Sequence, residues 1–176
     1  PLRNGALVLR VRSDLELGRQ VTAEGATFLD RQLVSREPEA LADDGFGREV
    51  KRALADRVNH LVSKGLARRE GGQVVFARGL VETLQQRELA SAAARLSSET
   101  GLAHQPAAEG ETVGGIYRRR VDLASGRFAM LDGGLGFQLV PWRPELERHL
   151  GRRVAGVALA GGGVDWSFGR QRGPSR

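Results

Sequence analysis

The sequence predicts an α+β protein in which an N-terminal winged-helix-like module precedes a small, five-stranded, β-barrel-like module. Apolar residues recur at helical spacing through most of the first hundred residues. One short hairpin pattern interrupts these helices, and beyond residue 112 short strand-like segments alternate with glycine turns. We therefore expect one module over 1–102, a linker over 103–112, a β module over 113–168 and a basic flexible tail over 169–176.

The first elements are predicted from short patterns. The branched segment Leu7–Val11 favours a β strand. Thr22 is a suitable N-cap for one helix that continues to about Val34, and Pro38 closes that stretch.

The clearest helix follows Asp43 and Asp44, which occupy N-cap positions. Lys64 and Gly65 supply a basic last turn and a C-terminal glycine. The apolar stripe of this helix has a spacing close to i, i+4 and comprises Phe46, Val50, Leu54, Val58 and Leu61.

A hairpin is predicted next, with strands over 66–69 and 74–76 joined by a turn at 70–73, and a second long helix should run from Leu80 to Glu99. The order helix, helix, hairpin, helix is typical of a winged helix. In that arrangement the helix 46–63 is the recognition helix and the turn 70–73 is the tip of the wing.

The second half has β periodicity, with the glycine turns 125–126, 132–134 and 161–163 and one helical turn over 145–150. The linker is small and polar and contains a proline. The five predicted strands are 113–121, 127–131, 137–140, 154–159 and 164–168.

The chain is strongly basic, with a formal net charge of +6 and a pI near 11.0. Residues 101–176 alone contain eleven Lys or Arg against seven acids. Such a surplus favours a polyanionic partner, meaning nucleic acid or an anionic membrane surface.

Catalytic motifs are missing from the sequence. It has no cysteine, its three histidines (His60, His104 and His149) are far apart, and it has no phosphate-binding loop motif. Tyr117 is the one tyrosine, and attack on a phosphodiester would also need a metal held by clustered histidines. We therefore expect a non-enzymatic protein without metal or cofactor. No apolar run is long enough to cross a membrane, so we expect a cytoplasmic protein.

Exposed basic residues are the candidate binding residues. Arg48, Lys51 and Arg52 fall away from the apolar stripe of the predicted recognition helix, where arginines can contact phosphates or guanine edges. An ordinary solvated helix face, paired with Glu49 and Asp56, is the alternative. Strand alternation places Arg119 opposite Arg118 and Arg120, while Trp142 and Trp166 fit core packing better than base stacking. The complete set of predicted nucleic-acid-binding residues is Arg48, Lys51, Arg52, Arg68, Arg69, Arg118, Arg120, Arg170 and Arg172.

Five segments together resemble the C-terminal domain, of unknown function, of plasmid and integrative-element conjugative relaxases. They are GATFLDR (25–31), GFGREV (45–50), RRRVDLASGRFAM (118–130), GFQLVPWRP (136–144) and GGVDWSFGRQRG (162–173). The resemblance implies an accessory domain of a DNA-nicking mobilisation nuclease that binds transfer-origin DNA, the type IV secretion coupling protein, or both. It also implies a bacterial protein exported with the DNA. The nicking motifs of such nucleases are absent here, so no catalytic residue is carried over.

A second hypothesis is a free-standing interaction module on a mobile element. In that case the chain acts as a regulator or as an anti-defence inhibitor of the anti-CRISPR kind. Its target is then a protein or a ribonucleoprotein, whose nucleic-acid-binding surface the basic residues would cover.

Overall fold

The computed structural model describes residues 15–168 and confirms the α+β class. The chain divides into two compact units between Leu84 and Gln85. The predicted strand Leu7–Val11 and the tail 169–176 lie outside the described residues.

The described part of the first unit, residues 15–84, contains three complete helices and a β hairpin. Its cores are built from the helices, the hairpin and the start of the following helix, with Leu29, Val50 and Leu61 among the fully or nearly fully buried residues. Its complete elements are α1 (Leu17–Thr22), α2 (Phe28–Val34), α3 (Gly45–Ser63), β1 (Ala67–Glu70) and β2 (Gln73–Phe76).

The single helix predicted from Thr22 to Val34 is wrong, because the chain breaks into α1 and α2 at residues 23–27. Thr27, not Thr22, is the N-cap of α2, and its backbone N–H donates to the Asp30 carboxylate at 2.7 Å in a capping box. The break is stable because Arg57 binds the backbone carbonyls of Val21, Ala23 and Gly25, which a continuous helix would use internally.

The long helix α3 agrees with its prediction at both ends: Asp44 is the N-cap, and Gly65 follows in the left-handed region at φ +69°. Phe46 was wrongly assigned to its apolar stripe, since this side chain is 64% exposed. The core between α3 and the first two helices begins at Val50, one turn later.

The hairpin pairs β1 with β2 antiparallel, from Ala67 opposite Phe76 to Glu70 opposite Gln73. Gly71 and Gly72 form the two-residue turn, both at positive φ, as a tight hairpin turn requires. This confirms the predicted hairpin and places its tip at the two glycines.

The helix α4 (Leu80–Thr100) also agrees with the sequence. Leu80 and Leu84 pack in a core of the first unit. Ala93 and Leu96 pack in a core of the second unit, against residues of the sheet described next.

In the second unit, up to residue 168, the strands form one six-stranded sheet with the order β3-β6-β5-β4-β7-β8. All neighbours are antiparallel except β3 and β6, which are parallel. The strands are β3 (Ala103–His104), β4 (Thr112–Leu123), β5 (Gly126–Asp132), β6 (Gly136–Pro141), β7 (Arg153–Ala158) and β8 (Val164–Trp166).

Three predictions change in this unit. The barrel-like closure is not confirmed, because in residues 15–168 the sheet is open and β3 and β8 are its two edges. The segment 103–112 is not wholly a linker, since Ala103–His104 forms a sixth strand and Thr112 already belongs to β4. The helical turn predicted over 145–150 is a 3-10 turn, Pro144–His149.

The sheet has two differently covered faces. Residues opposite each other in antiparallel strands share a face, so Tyr117 lies with Leu131 and Arg119 with Met130. The face of Tyr117 packs around Leu146 of the 3-10 turn, and the face of Met130 packs against α4. A register shift between Tyr117 and Arg119 makes Arg118 the extra residue of a β-bulge.

Candidate nucleic-acid interface

The orientation of α3 is set by a buried ion pair. The Arg57 Nε donates to Asp30 Oδ1 at 2.8 Å and its Nη2 donates to Oδ2 at 3.0 Å, with both side chains fully buried. The capping box places Asp30 on α2 at the point where Arg57 reaches it. This bidentate contact fixes which face of α3 points away from the core.

The outward face of α3 carries a strip of polar residues. At about 100° per residue, Arg48, Arg52 and Asn59 lie within about 40° of one another and opposite the buried stripe. All three are exposed. Within residues 15–168 Arg52 has no ion-pair partner, while the Arg48 Nε donates to the backbone carbonyl of Asp43 at 3.0 Å. We call Arg48, Arg52 and Asn59 the α3 strip.

Lys51 lies on the flank of the strip rather than in it. Its ammonium donates to the Asp43 carboxylate. That hydrogen bond holds the pKa of Asp43 below its ordinary value of 3.8. Lys51 is thus partly neutralised. The charges of Arg48, Lys51 and Arg52, which were predicted together, are therefore not equally available to a ligand.

The hairpin brings a further cation to the strip. The Arg69 guanidinium donates to Asn59 Oδ1 at 2.6 Å, so its position on β1 is tied to the outer face of α3. The Arg68 side chain lies on the opposite face of β1 from that of Arg69, and it pairs with Glu70 at 2.6 Å. Of the two predicted wing arginines, only Arg69 adjoins the α3 strip.

In the second unit the three consecutive arginines have three different surroundings. Arg118, in the bulge, pairs with Asp132 at 2.9 Å. A backbone hydrogen bond from Gly134, together with Arg118, holds the pKa of Asp132 below its ordinary value. Arg119 pairs with Glu99 of α4 at 2.6 Å. Arg119 and Arg120 are on opposite faces, as strand alternation predicts.

Arg120 belongs to a cation–aromatic cluster around Trp142. Its guanidinium carbon lies 5.2 Å from the centroid of the indole ring, and that of Arg127 lies 5.8 Å away. Both guanidiniums approach the carboxylate of Asp122, at 3.0 and 3.9 Å. Arg120, Arg127 and Trp142 are named here the Trp142 cluster.

Tyr117 is a structural residue of this unit. It is fully buried, and its hydroxyl accepts a hydrogen bond from Trp142 Nε1 at 3.0 Å. Burial raises the pKa of this hydroxyl above its ordinary value of 10.0. Trp142 and Trp166 are half-buried against the same core, in agreement with the predicted packing.

Sequence reasoning missed Asn59, Arg57 and Arg127. Asn59 lies seven residues, or about two helical turns, beyond Arg52 and therefore on the same face, so the pattern contained that signal. The burial of Arg57 and the approach of Arg127 to Trp142 depend on residues distant in sequence, for which the pattern contains none. Arg170 and Arg172 lie outside the described residues.

The described residues contain no group of three His, Asp or Glu side chains placed to hold a metal ion. No helix within 15–168 is long and apolar enough to cross a membrane.

The structure is that of a two-unit α+β protein with one basic surface on each unit. Residues 2–175 match the family described as "Protein of unknown function (DUF3363)", and the chain belongs to that family. Neither the curated proteins nor the solved structures include a significant match.

Proposed function

We propose that this protein binds double-stranded DNA through the α3 strip and the adjoining hairpin, in the manner of a winged helix, and has no catalytic activity of its own. One observation carries the proposal: Arg48 and Arg52 share the outward face of a helix whose other face is locked to the core, and Arg69 of the hairpin is tied to that same face.

The dimensions of α3 suit a DNA groove. With its side chains an α-helix is about 10–12 Å in diameter, and the stretch from Arg48 to Asn59 covers about 16.5 Å of its length at 1.5 Å per residue. The major groove is about 12 Å wide and admits one α-helix. Asp56 and Glu49 lie to one side of the strip, so we expect the phosphate contacts to come from the strip itself and from Arg69.

The order of elements supports the same arrangement. Three helices precede a hairpin with a two-glycine tip, and the third helix is the one that enters the groove in winged-helix proteins. The resemblance to relaxase C-terminal domains supplies the proposed setting. There the DNA would be transfer-origin DNA, and the coupling protein of a type IV secretion system would be a second partner.

The proposal is tested by fluorescence anisotropy with a labelled duplex and the full chain. The variant Arg48→Gln/Arg52→Gln should lower duplex affinity at least about tenfold, because each lost phosphate contact also loses counterion release. The matched control is Arg31→Gln/Arg36→Gln, which removes the same charge from exposed positions of the first unit outside α3. Equal losses in both variants would mean a response to net charge alone, and the recognition-helix proposal would fail.

A protein or ribonucleoprotein target is the second candidate, favoured by the 64% exposure of Phe46 in the first turn of α3. An exposed phenyl ring is of little use for phosphate contact but is a common anchor in protein interfaces. This candidate predicts that Phe46→Ser abolishes binding to such a target while duplex affinity is unchanged. Loss of duplex affinity in Phe46→Ser would instead place this ring in the DNA interface.

A further inference from the structure

The Trp142 cluster is a second surface, on the other unit of the chain, whose composition differs from that of the α3 strip. It joins an aromatic ring to two guanidiniums on one face of the sheet. Arg120 stands opposite Ala129 on β4 and β5, and Arg127 stands opposite Asp122. Trp142 follows β6 directly, and its backbone N–H donates to the Arg127 carbonyl at 2.9 Å.

The indole ring is held in one orientation. Its Nε1 donates to the buried Tyr117 hydroxyl, and the ring packs against the core that includes Ala129 and Val140. Trp142 is half-buried. The Arg120 and Arg127 guanidiniums lie over this ring, so the outer side of the cluster offers ordered guanidinium planes against which a planar group can stack.

The charge around the ring is positive. Arg120 and Arg127 are 41% and 44% exposed in their side chains, and both approach the carboxylate of Asp122. Arg143, which follows Trp142 in the chain, is exposed as well. The surface therefore combines a stacking platform with cations that can contact a phosphate backbone.

We infer that the Trp142 cluster binds single-stranded nucleic acid, with an unpaired base stacked on the guanidiniums that lie over the indole and the neighbouring phosphates contacted by the exposed arginines around it. An unpaired base offers its face to a planar side chain, whereas bases inside a duplex are stacked on one another. The ligand chemistry is common to DNA and RNA strands. This inference is independent of duplex binding by α3, since it concerns other residues on the other unit.

The experiment uses the two tryptophans of the chain. In Trp166→Phe the only tryptophan is Trp142, and unlabelled oligonucleotides of thymidine or of uridine should quench its emission. The extent of quenching by each strand distinguishes DNA from RNA, and quenching by either supports the inference. If neither strand quenches the emission at low salt, the inference is overturned.

A second measurement does not depend on how Trp166→Phe folds. In the otherwise wild-type chain, Arg120→Gln/Arg127→Gln should weaken binding of a labelled single strand about tenfold. The slope of log affinity against log salt concentration should become shallower by about 1.4, because each lost phosphate contact accounts for about 0.7. Arg87→Gln/Arg95→Gln removes two exposed arginines of α4 and should leave both unchanged. Equal losses in the two variants would overturn the inference.

The same variants distinguish duplex binding by α3 from single-strand binding by the Trp142 cluster. Arg48→Gln/Arg52→Gln should lose duplex affinity and keep single-strand affinity, and Arg120→Gln/Arg127→Gln should do the reverse. If Arg48→Gln/Arg52→Gln loses single-strand affinity to the same extent, binding is not at the Trp142 cluster and this inference fails, whatever the result with the duplex.

Discussion

Arg57 and Asp30 form a fully buried, bidentate ion pair that joins α3 to the capped start of α2. The remaining guanidinium hydrogens are donated to three backbone carbonyls in the break between α1 and α2. One side chain thus satisfies the carbonyls of the break and fixes the face of α3 that carries the α3 strip.

Removing either charge of this pair should strongly destabilise the first unit. Arg57→Met should lower the free energy of unfolding by about 3–5 kcal/mol, because it leaves the Asp30 carboxylate buried without a partner. Urea denaturation followed by circular dichroism measures the change. Arg95→Gln, which breaks an exposed pair with Glu99, should cost no more than about 0.5 kcal/mol. A similarly small cost for Arg57→Met would show that the pair does not hold the unit together.

The turn between β4 and β5 is anchored to α4 by Glu88. This carboxylate accepts hydrogen bonds from the Ala124 and Ser125 backbone N–H groups, at 2.7 and 2.9 Å, and from the Ser125 hydroxyl. Glu88→Ala should lower the free energy of unfolding by about 1.5–3 kcal/mol, the range for hydrogen bonds to a charged group. Glu88→Gln keeps one acceptor oxygen and should lose less. Equal losses in the two variants would contradict this role of the acceptor.

Gly156 on β7 leaves no room for a side chain. A Cβ there would lie 2.5 Å from the Asp165 carbonyl oxygen and 2.6 Å from Val164 Cγ1, both on β8. Gly156→Ala should therefore separate β8 from β7 and destabilise the second unit, by about 1–3 kcal/mol on the scale of overpacking. Gly18→Ala, with nothing within 4 Å of the new Cβ, should be neutral or slightly stabilising in α1. Hydrogen exchange of the β8 amides reads the local effect, and unchanged protection in Gly156→Ala would contradict it.

Two histidines should titrate below their ordinary pKa of 6.5. Burial lowers the pKa of His104, and burial together with the positive charges of Arg57 and Lys64 lowers that of His60. The unfolded chain then binds more protons than the folded one, so stability should fall as the pH decreases through 6.5 and on through the folded pKa values. Proton NMR of the ring hydrogens gives both values directly. A midpoint above 6.5 for either residue would contradict its assigned surroundings.

The long helices and the hairpin were predictable because their signals are local. The N-cap at Asp44, the glycine at 65 and the glycine pair at 71–72 each act within one turn of chain. The break between α1 and α2 was not predictable, since Arg57 lies more than thirty residues beyond the carbonyls that it binds. The strand β3 has two residues and exists through its parallel pairing with β6, which no local pattern records.

The candidate binding residues also divide into those whose surroundings a local pattern predicts and those whose surroundings depend on the fold. The helical period alone exposes Arg48 and Arg52, because their position opposite the apolar stripe depends on geometry within one helix. The partners of Lys51, Arg68 and Arg118 depend on where carboxylates fall after folding. For this reason some of the cations that were predicted as equivalent form ion pairs with carboxylates in the structure, and others do not.

The dependence of duplex affinity on salt tests the central proposal most directly. If Arg48, Arg52 and Arg69 each contact a phosphate, the log–log slope should be about −2.7 at about −0.9 per contact, and Arg48→Gln/Arg52→Gln should reduce its magnitude by about 1.8. A duplex that fails to bind at low salt, or a slope that is the same in the variant and the wild type, would contradict DNA binding by α3.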